Sequence, residues 1–327
     1  MVIKFSKPVI IASSIATGIG LAYLLKDQLG GKQYDRNLKI DNKVVIITGA
    51  NTGIGMETAQ DLARRGAKIY MACRDMTKCE KTRQEIVLDT RNKYVYCRYC
   101  DLSSLESIRQ FAEQFNKEQT RLDILINNAG VMRTPYTKTK DGFEMQLGVN
   151  HLGHFLLTNL LLDKLKSSAP SRIINVSSIA HYRGNINTTD LNSEKEYDKA
   201  SAYSQSKLAN ILFTKELAER LKASGVTVNA VHPGLVDTEI IRHMSFFNSW
   251  FSKIFLKPFM WPFIKSPRQG AQTTIYAALD PGLDRITGKY FSDCHDVPVA
   301  PQADDDKTAK WLWAVSEKWT RINKENN

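Results

Sequence analysis

From Lys43 onward short apolar runs alternate with longer amphipathic ones, and no other feature constrains the fold so tightly. Val44-Val45-Ile46-Ile47 is wholly apolar, and a strand apolar on both faces belongs in a parallel sheet covered on each side by helices. Further strands are expected at Ala67–Ala72, Tyr94–Cys100, Leu122–Ile126, Arg172–Val176 and Val226–Val231. Helical periodicity falls between them, at about Met56–Arg65, Thr77–Asp89, Leu105–Glu118, Phe143–Leu165 and Tyr203–Ala223. Gly66, Ser224-Gly225, Pro233-Gly234 and Asp280-Pro281-Gly282 punctuate the pattern. The expectation is an α/β fold with a doubly wound parallel sheet and helices on both faces. At 327 residues and 43% hydrophobic the chain suits one core of roughly 250–280 residues with appendages. The boundaries expected are 1–42 for an anchor and linker, 43–300 for the domain and 301–327 for a C-terminal helical extension.

The first strand runs into Thr48-Gly49-Ala50-Asn51-Thr52-Gly53-Ile54-Gly55 and then into a helix. Glycines there let backbone approach a pyrophosphate, and the helix N-terminus offers free N–H groups and partial positive charge, which makes the sheet Rossmann-type. After the second strand, where a carboxylate would hold a ribose 2′-hydroxyl, the chain has Arg74 with Lys78 close by. A guanidinium suits a 2′-phosphate, so NADP(H) is expected over NAD(H). Asp101-Leu102 after the third strand would lie by the adenine, and Asn128-Ala129-Gly130 after the fourth by the adenosine ribose.

Tyr203 and Lys207 stand four apart on an expected helix, one above the other. An ammonium beside a phenol favours the phenolate, drawing the tyrosine down from about 10. With a nucleotide turn upstream, this pair and Ser177-Ser178 point to hydride transfer rather than hydrolysis.

The net charge of +11 is spread among acids with no compact basic run, which argues against nucleic acid and for an anionic surface or a phosphate-rich cofactor. Five cysteines at irregular spacing argue against a disulfide framework and for a reducing compartment. Cys97 and Cys100, three apart on a strand, face opposite ways and carry no expected redox or metal role. His151, His154, His181 and His232 lack metal-ligand spacing with one another, so no metal is expected.

Pro8 to Leu25 carries no charge and is flanked by Lys4, Lys7 and Lys26. Helical, it would span about 27 Å, enough for a bilayer core. An uncleaved N-terminal anchor is preferred to a signal peptide or a surface helix, and lysines on both sides leave its orientation open. Residues 240–263 are dense in phenylalanine and tryptophan, with Lys253, Lys257 and Lys265 interspersed. They form either an amphipathic segment packed on the core or a greasy lid, at about 238–267, over an apolar substrate that also meets a membrane.

Together these residues resemble the short-chain dehydrogenase/reductase family: the turn Thr48–Gly55, Asn127-Asn128-Ala129-Gly130, Asn150, Ser178, Tyr203…Lys207 and Pro233-Gly234…Thr238. The resemblance covers about Lys43–Tyr290. Ala72–Met76, Phe143–Gln146, Gly148–Phe155 and Ala202–Ala209 resemble its membrane-anchored retinol dehydrogenase subgroup. It implies that Tyr203 exchanges the substrate proton and that Lys207 tunes it and binds the nicotinamide ribose. Ser178 would hold the carbonyl oxygen, Asn150 a relay water, and Thr238 the carboxamide. Helices matching Asn150–Leu165 and Tyr203–Ala223 would build a homodimer, and the locations implied are mitochondrion, at its inner membrane, or endoplasmic reticulum.

The function expected is interconversion of a lipophilic aldehyde or ketone, foremost retinal, with its alcohol. Reduction of steroid or lipid-derived carbonyls is the alternative within enzymes, and a non-catalytic nucleotide-binding membrane scaffold the alternative outside them.

Overall fold

The computed structural model describes Gly20, Lys26, residues 30–236 and residues 264–322. The expected membrane segment, apart from Gly20, lies outside these residues, as do Thr238 and the expected lid up to residue 263. Among the described residues no helix is long and apolar enough to cross a membrane.

β1 (Val44–Thr48) is buried along its whole length, as its composition requires. Val44 and Ile46 point into one core and Val45 and Ile47 into another, so the sheet is covered on both faces. α1 (Gly53–Arg64), β2 (Lys68–Cys73), α2 (Met76–Thr90), β3 (Val95–Tyr99), α3 (Leu105–Glu118) and β4 (Ile124–Asn127) follow in strict alternation. Later come β5 (Ser171–Val176), α6 (Lys199–Arg220), β6 (Val226–His232), α7 (Pro267–Leu279), β7 (Tyr290–Ser292), β8 (His295–Asp296) and α8 (Asp306–Thr320). The sheet order is β3-β2-β1-β4-β5-β6-β7-β8, parallel except for the last pair. Order reverses direction between β1 and β4, which opens a crevice at their carboxyl ends.

The expected single helix Phe143–Leu165 is broken. A short turn Met145–Leu147 leads into a π-helical turn Gly148–Leu152, then α4 (Gly153–Leu160) and α5 (Leu162–Ser167). The extra residue closes through Gly153 N–H to the Gly148 carbonyl. Close packing explains the two glycines: a Cβ on Gly148 would meet Thr139 Cγ2 at 2.4 Å, and one on Gly153 the Leu102 carbonyl at 2.7 Å. α6 starts earlier than its periodicity suggests because the Asp198 side chain accepts from Ser201 N–H and caps it.

The expectation of no disulfide is overturned: Cys79 in α2 and Cys97 in β3 are bonded, with Cα atoms 6.0 Å apart. α2 packs back on β3, so residues 18 apart in sequence become neighbours, which irregular spacing hides. Cys97 and Cys100 do face opposite sides of the sheet, each in a different core.

Residues 30–36 lie as a strap along α7. Tyr34 N–H donates to Gln272 Oε1 at 2.9 Å, Arg36 pairs with Asp280 at 3.5 Å, and the Lys32 carbonyl accepts from Cys294 Sγ at 3.6 Å. At the other end of the chain α8 lies across α6 and α4. Trp313 packs edge-on to Phe155, with the Arg220 guanidinium 4.1 Å from its ring centre, and Ser316 meets His151 Nε2 at 2.9 Å. The helices expected to build a dimer are thus covered in part by the chain's own C-terminal helix.

Candidate active site

Strand β1 ends at Thr48, and the chain turns sharply because Gly49 and Gly53 take φ of 65° and 55°, backbone that a side chain disfavours. Gly55 is needed for a different reason: a Cβ there would meet the Gly49 carbonyl and Asn128 Nδ2, each at 2.5 Å. The turn and the N-terminus of α1 form the floor of a cavity of about 270 Å³. It is lined by the expected Gly49, Asn51, Thr52, Gly53, Ile54, Gly55, Arg74, Asp101, Leu102, Asn128, Ala129 and Gly130. Sequence reasoning left out Cys100, Val131, Met132 and Val149, which line it as well. Arg74 is exposed at the cavity edge, whereas the neighbouring acid Asp75 caps α2 by accepting from Lys78 N–H at 3.0 Å. The acid beside this subsite is engaged by its own helix, leaving the guanidinium facing the cavity. Asp101 is buried and accepts from Ser103 N–H and Oγ at 3.0 and 2.7 Å.

A buried network that the motifs do not announce holds the cavity wall. Thr48 Oγ1 accepts from Asn128 and Ala129 N–H, both at 2.9 Å, and lies 2.9 Å from His154 Nε2. His154 Nδ1 is 3.0 Å from the Asn150 carbonyl, and burial holds this histidine down at about 4. A neutral ring whose Nδ1 faces a carbonyl carries its proton there, so Nε2 accepts and the Thr48 hydroxyl donates to it. The Asn150 side chain accepts from Val131 N–H at 2.8 Å and donates to the Val131 carbonyl and to Ser206 Oγ, both at 2.9 Å. Asn150 therefore clamps the loop after β4 to α6, and its π-helical setting turns it inward to do so.

Tyr203, Ser178 and Lys207 meet at the carboxyl ends of β5 and β6, beyond the cavity lining. The Ser178 hydroxyl is hydrogen-bonded to the Tyr203 phenol and accepts from Ala180 N–H at 3.2 Å. Lys207 donates to the Val176 carbonyl at 3.0 Å, with its Nζ 5.7 Å from the centre of the Tyr203 ring. Burial lowers this lysine to about 8. The expected downward pull of Lys207 on the phenol is reversed: burial pushes Tyr203 up to about 12, opposed by the Ser178 hydrogen bond and the charge of Arg133. The ammonium is held by a main-chain carbonyl, so desolvation of the phenolate wins. Arg133 escaped the sequence reasoning because no motif contains it. It has φ of 52°, and Gln146 Oε1 accepts from its N–H at 2.6 Å.

His181 Nδ1 lies 2.7 Å from the Ser178 carbonyl, and its Nε2 accepts from Ala300 N–H at 3.1 Å, which braces the loop bearing Ser178. Pro233 and Gly234 follow β6 outside the cavity lining, Gly234 with φ of 87° against the stem of Lys265.

A family model of the short chain dehydrogenase matches residues 43–246. Human retinol dehydrogenase 13 is 54% identical over 307 residues, covering 94% of this chain and 93% of that protein. Human retinol dehydrogenase 12 is 56% identical over 284 residues, covering 86% and 87%. Among solved structures, an uncharacterized protein of Mycobacterium paratuberculosis superposes with a TM-score of 0.72 at 38% identity, covering 89% of this chain and 98% of its own. The active-site complex of RhlG with NADP, from Pseudomonas aeruginosa, superposes with a TM-score of 0.62 at 25% identity, covering 77% and 95%.

Proposed function

Because the chain belongs to the short chain dehydrogenase family, we propose that it is an NADP(H)-dependent oxidoreductase interconverting a lipophilic carbonyl compound, foremost retinal, and its alcohol. The observation that carries the reading is the buried Tyr203 phenol, bonded to Ser178 and packed under Lys207 beside a glycine cradle fit for a dinucleotide. Retinoids are favoured by the names of the relatives, and NADP is favoured by Arg74 and by the bound cofactor of RhlG.

The residues fit the cofactor. Gly49, Gly53 and Gly55 leave room where side chains would fill the cradle, the α1 N-terminus offers N–H groups to phosphate, and Arg74 faces the 2′-position. When bound, the nicotinamide supplies the hydride. Ser178 holds the substrate carbonyl oxygen against the Tyr203 hydroxyl. A phenol pushed up to about 12 is fully protonated at neutral pH, so Tyr203 is poised to donate its proton as the oxygen gains charge. Lys207, held by the Val176 carbonyl, sits over the ring and would bind the nicotinamide ribose. Asn150 fixes the loop that carries Val131 and Met132 along the cofactor groove, and would retain a water that relays protons through Lys207. Thr238, which lies outside the described residues, would contact the carboxamide.

The uncharged run at residues 8–25 anchors the protein to a membrane of the endoplasmic reticulum or the inner mitochondrial membrane. The test is NADPH oxidation with all-trans-retinaldehyde by the full chain in mild detergent, beside Tyr203→Phe. The variant should bind NADPH like the parent and lose turnover by about 10²-fold or more. Equal turnover would refute the role of Tyr203, and no turnover by the parent would refute retinaldehyde as a substrate.

A further inference from the structure

The parallel strands end together, and the loops leaving those ends carry the dinucleotide cavity, Ser178 and the approach to Tyr203. Exposed apolar side chains lie along that rim, although Leu88, Tyr94 and Ile286 are exposed elsewhere. Ile179 is 64% exposed, Leu235 51% and Tyr182 45%, each just beyond the end of β5 or β6, and exposed Tyr136 lies on the loop leaving β4. Exposed apolar groups grouped at one end of a molecule mark a surface that meets something other than water.

The strap leads toward the same rim. From Arg36, paired with Asp280 at the C-terminal end of α7, it runs back past Tyr34 on Gln272 to Gly30 at the first turn of that helix. A Cβ on Gly30 would meet the Gln269 side chain, and Gly31, with φ of 84°, passes against Lys265 and Asp293. α7 begins at the rim, so the N-terminal residues join the domain there. Val236 and Lys265 are bridged at the same place, with Lys265 N–H donating to the Leu235 carbonyl at 2.8 Å, which brings together the ends of the intervening sequence. In sequence, residues 237–263 carry eight phenylalanines and tryptophans, and residues 8–25 carry no charge. Two strongly apolar sequences therefore attach to the rim beside the exposed Leu235.

We propose that the carboxyl-end rim of the sheet, with Ile179, Tyr182 and Leu235, is a lipid-facing surface that sets the mouth of the catalytic cleft against the bilayer. It rests on the reading of residues 8–25 as an anchor and of the substrate as lipophilic. A substrate dissolved in the membrane would then reach Ser178 and Tyr203 without crossing water, and the linker, strapped to α7, fixes the orientation.

The test uses the full chain on phosphatidylcholine vesicles, with an environment-sensitive fluorophore on a cysteine placed at Leu235→Cys or Ile179→Cys on the rim, or at Leu88→Cys near the end of α2, at the opposite end of the sheet. The native free cysteines Cys73, Cys100 and Cys294 are buried, so labelling is directed to the new thiol. Interfacial side chains enter the headgroup and acyl boundary by roughly 5–10 Å, within reach of brominated acyl chains. Quenching by brominated lipid should be at least about threefold greater at either rim position than at Leu88→Cys. Equal quenching, stronger quenching at Leu88→Cys, or failure of the protein to sediment with vesicles would each overturn the proposal. Rim probes shielded in vesicle-free protein and unquenched by lipid would assign the surface to a protein partner or a second copy instead, and overturn it too. Retinaldehyde turnover in detergent, measured on the same samples, reports failure of the functional reading separately.

Discussion

Replacing Thr48 with valine removes one hydroxyl and almost no volume, and that hydroxyl serves three partners. Asn128 and Ala129 N–H donate to it at 2.9 Å each, and His154 Nε2 accepts from it at 2.9 Å. Thr48 is 1% exposed, so the partners cannot all turn to water. An unsatisfied buried polar group costs about 1–3 kcal/mol. The Asn128 amide keeps the Ile126 carbonyl at 3.0 Å and the partly buried Ala129 amide belongs at the low end, whereas His154 is 2% exposed. Thr48→Val should therefore lower the unfolding free energy by about 3 kcal/mol. Thr48→Ser keeps the hydroxyl and loses a methyl, at about 1 kcal/mol. Urea unfolding followed by tryptophan fluorescence and circular dichroism measures both, with coincident transitions required before a free energy is taken. The loop released in Thr48→Val bears Asn128, Ala129 and Gly130 on the cavity wall, so NADPH affinity should fall as well. A valine variant no less stable than the serine variant would refute the network as described.

Arg74→Ala should lower kcat/KM with NADPH by about 10–100-fold and leave that with NADH nearly unchanged, since a charge-assisted bond to phosphate is worth roughly 1.5–3 kcal/mol. An equal loss with both cofactors would assign Arg74 to the fold instead. Acid should destabilise the protein through its buried histidines. Burial lowers His151 to about 3, and His154 and His232 to about 4, so in the window from about 6.5 down to 4 the unfolded chain binds protons that the folded chain refuses. That contribution to stability is intact above 6.5 and shrinks as pH falls, by about 1 kcal/mol for each histidine at pH 5.5. Glu144, raised by burial, acts in the opposite sense. Urea midpoints that do not move between pH 7.5 and 5.5 would contradict the burial of these rings as neutral groups.

Much of the fold was legible because the sheet is buried on both faces. Val44–Ile47 had to be a central strand, and the helix at Leu105–Glu118 matches its expected bounds because its apolar stripe is unbroken and Ser104 caps it. The helix expected at Phe143–Leu165 was not legible in detail. A π-turn adds one residue to a helix without changing its apolar character, and only packing against Thr139 and Leu102 shows why Gly148 and Gly153 stand there. The cavity wall was legible where a short motif spells it, from Gly49 to Gly55 and at Asn128–Gly130. Cys79 with Cys97, Thr48 with His154, and Arg133 near Tyr203 were not, because each joins segments that only the folded chain brings together.

The sequence alone determined the alternation of strands and helices, the glycine turn and the positions of Ser178, Tyr203 and Lys207, since each depends on residues close together along the chain. The tertiary structure decided the electrostatics and the course of the strap. Tyr203 rises to about 12 because burial outweighs its neighbours, and Lys207 spends its donor on the Val176 carbonyl. The strap from Arg36 sets Gly30 at the carboxyl-end rim of the sheet because α7 begins there. Desolvation and chain direction are properties of the assembled molecule, and no local pattern of residues carries either of them.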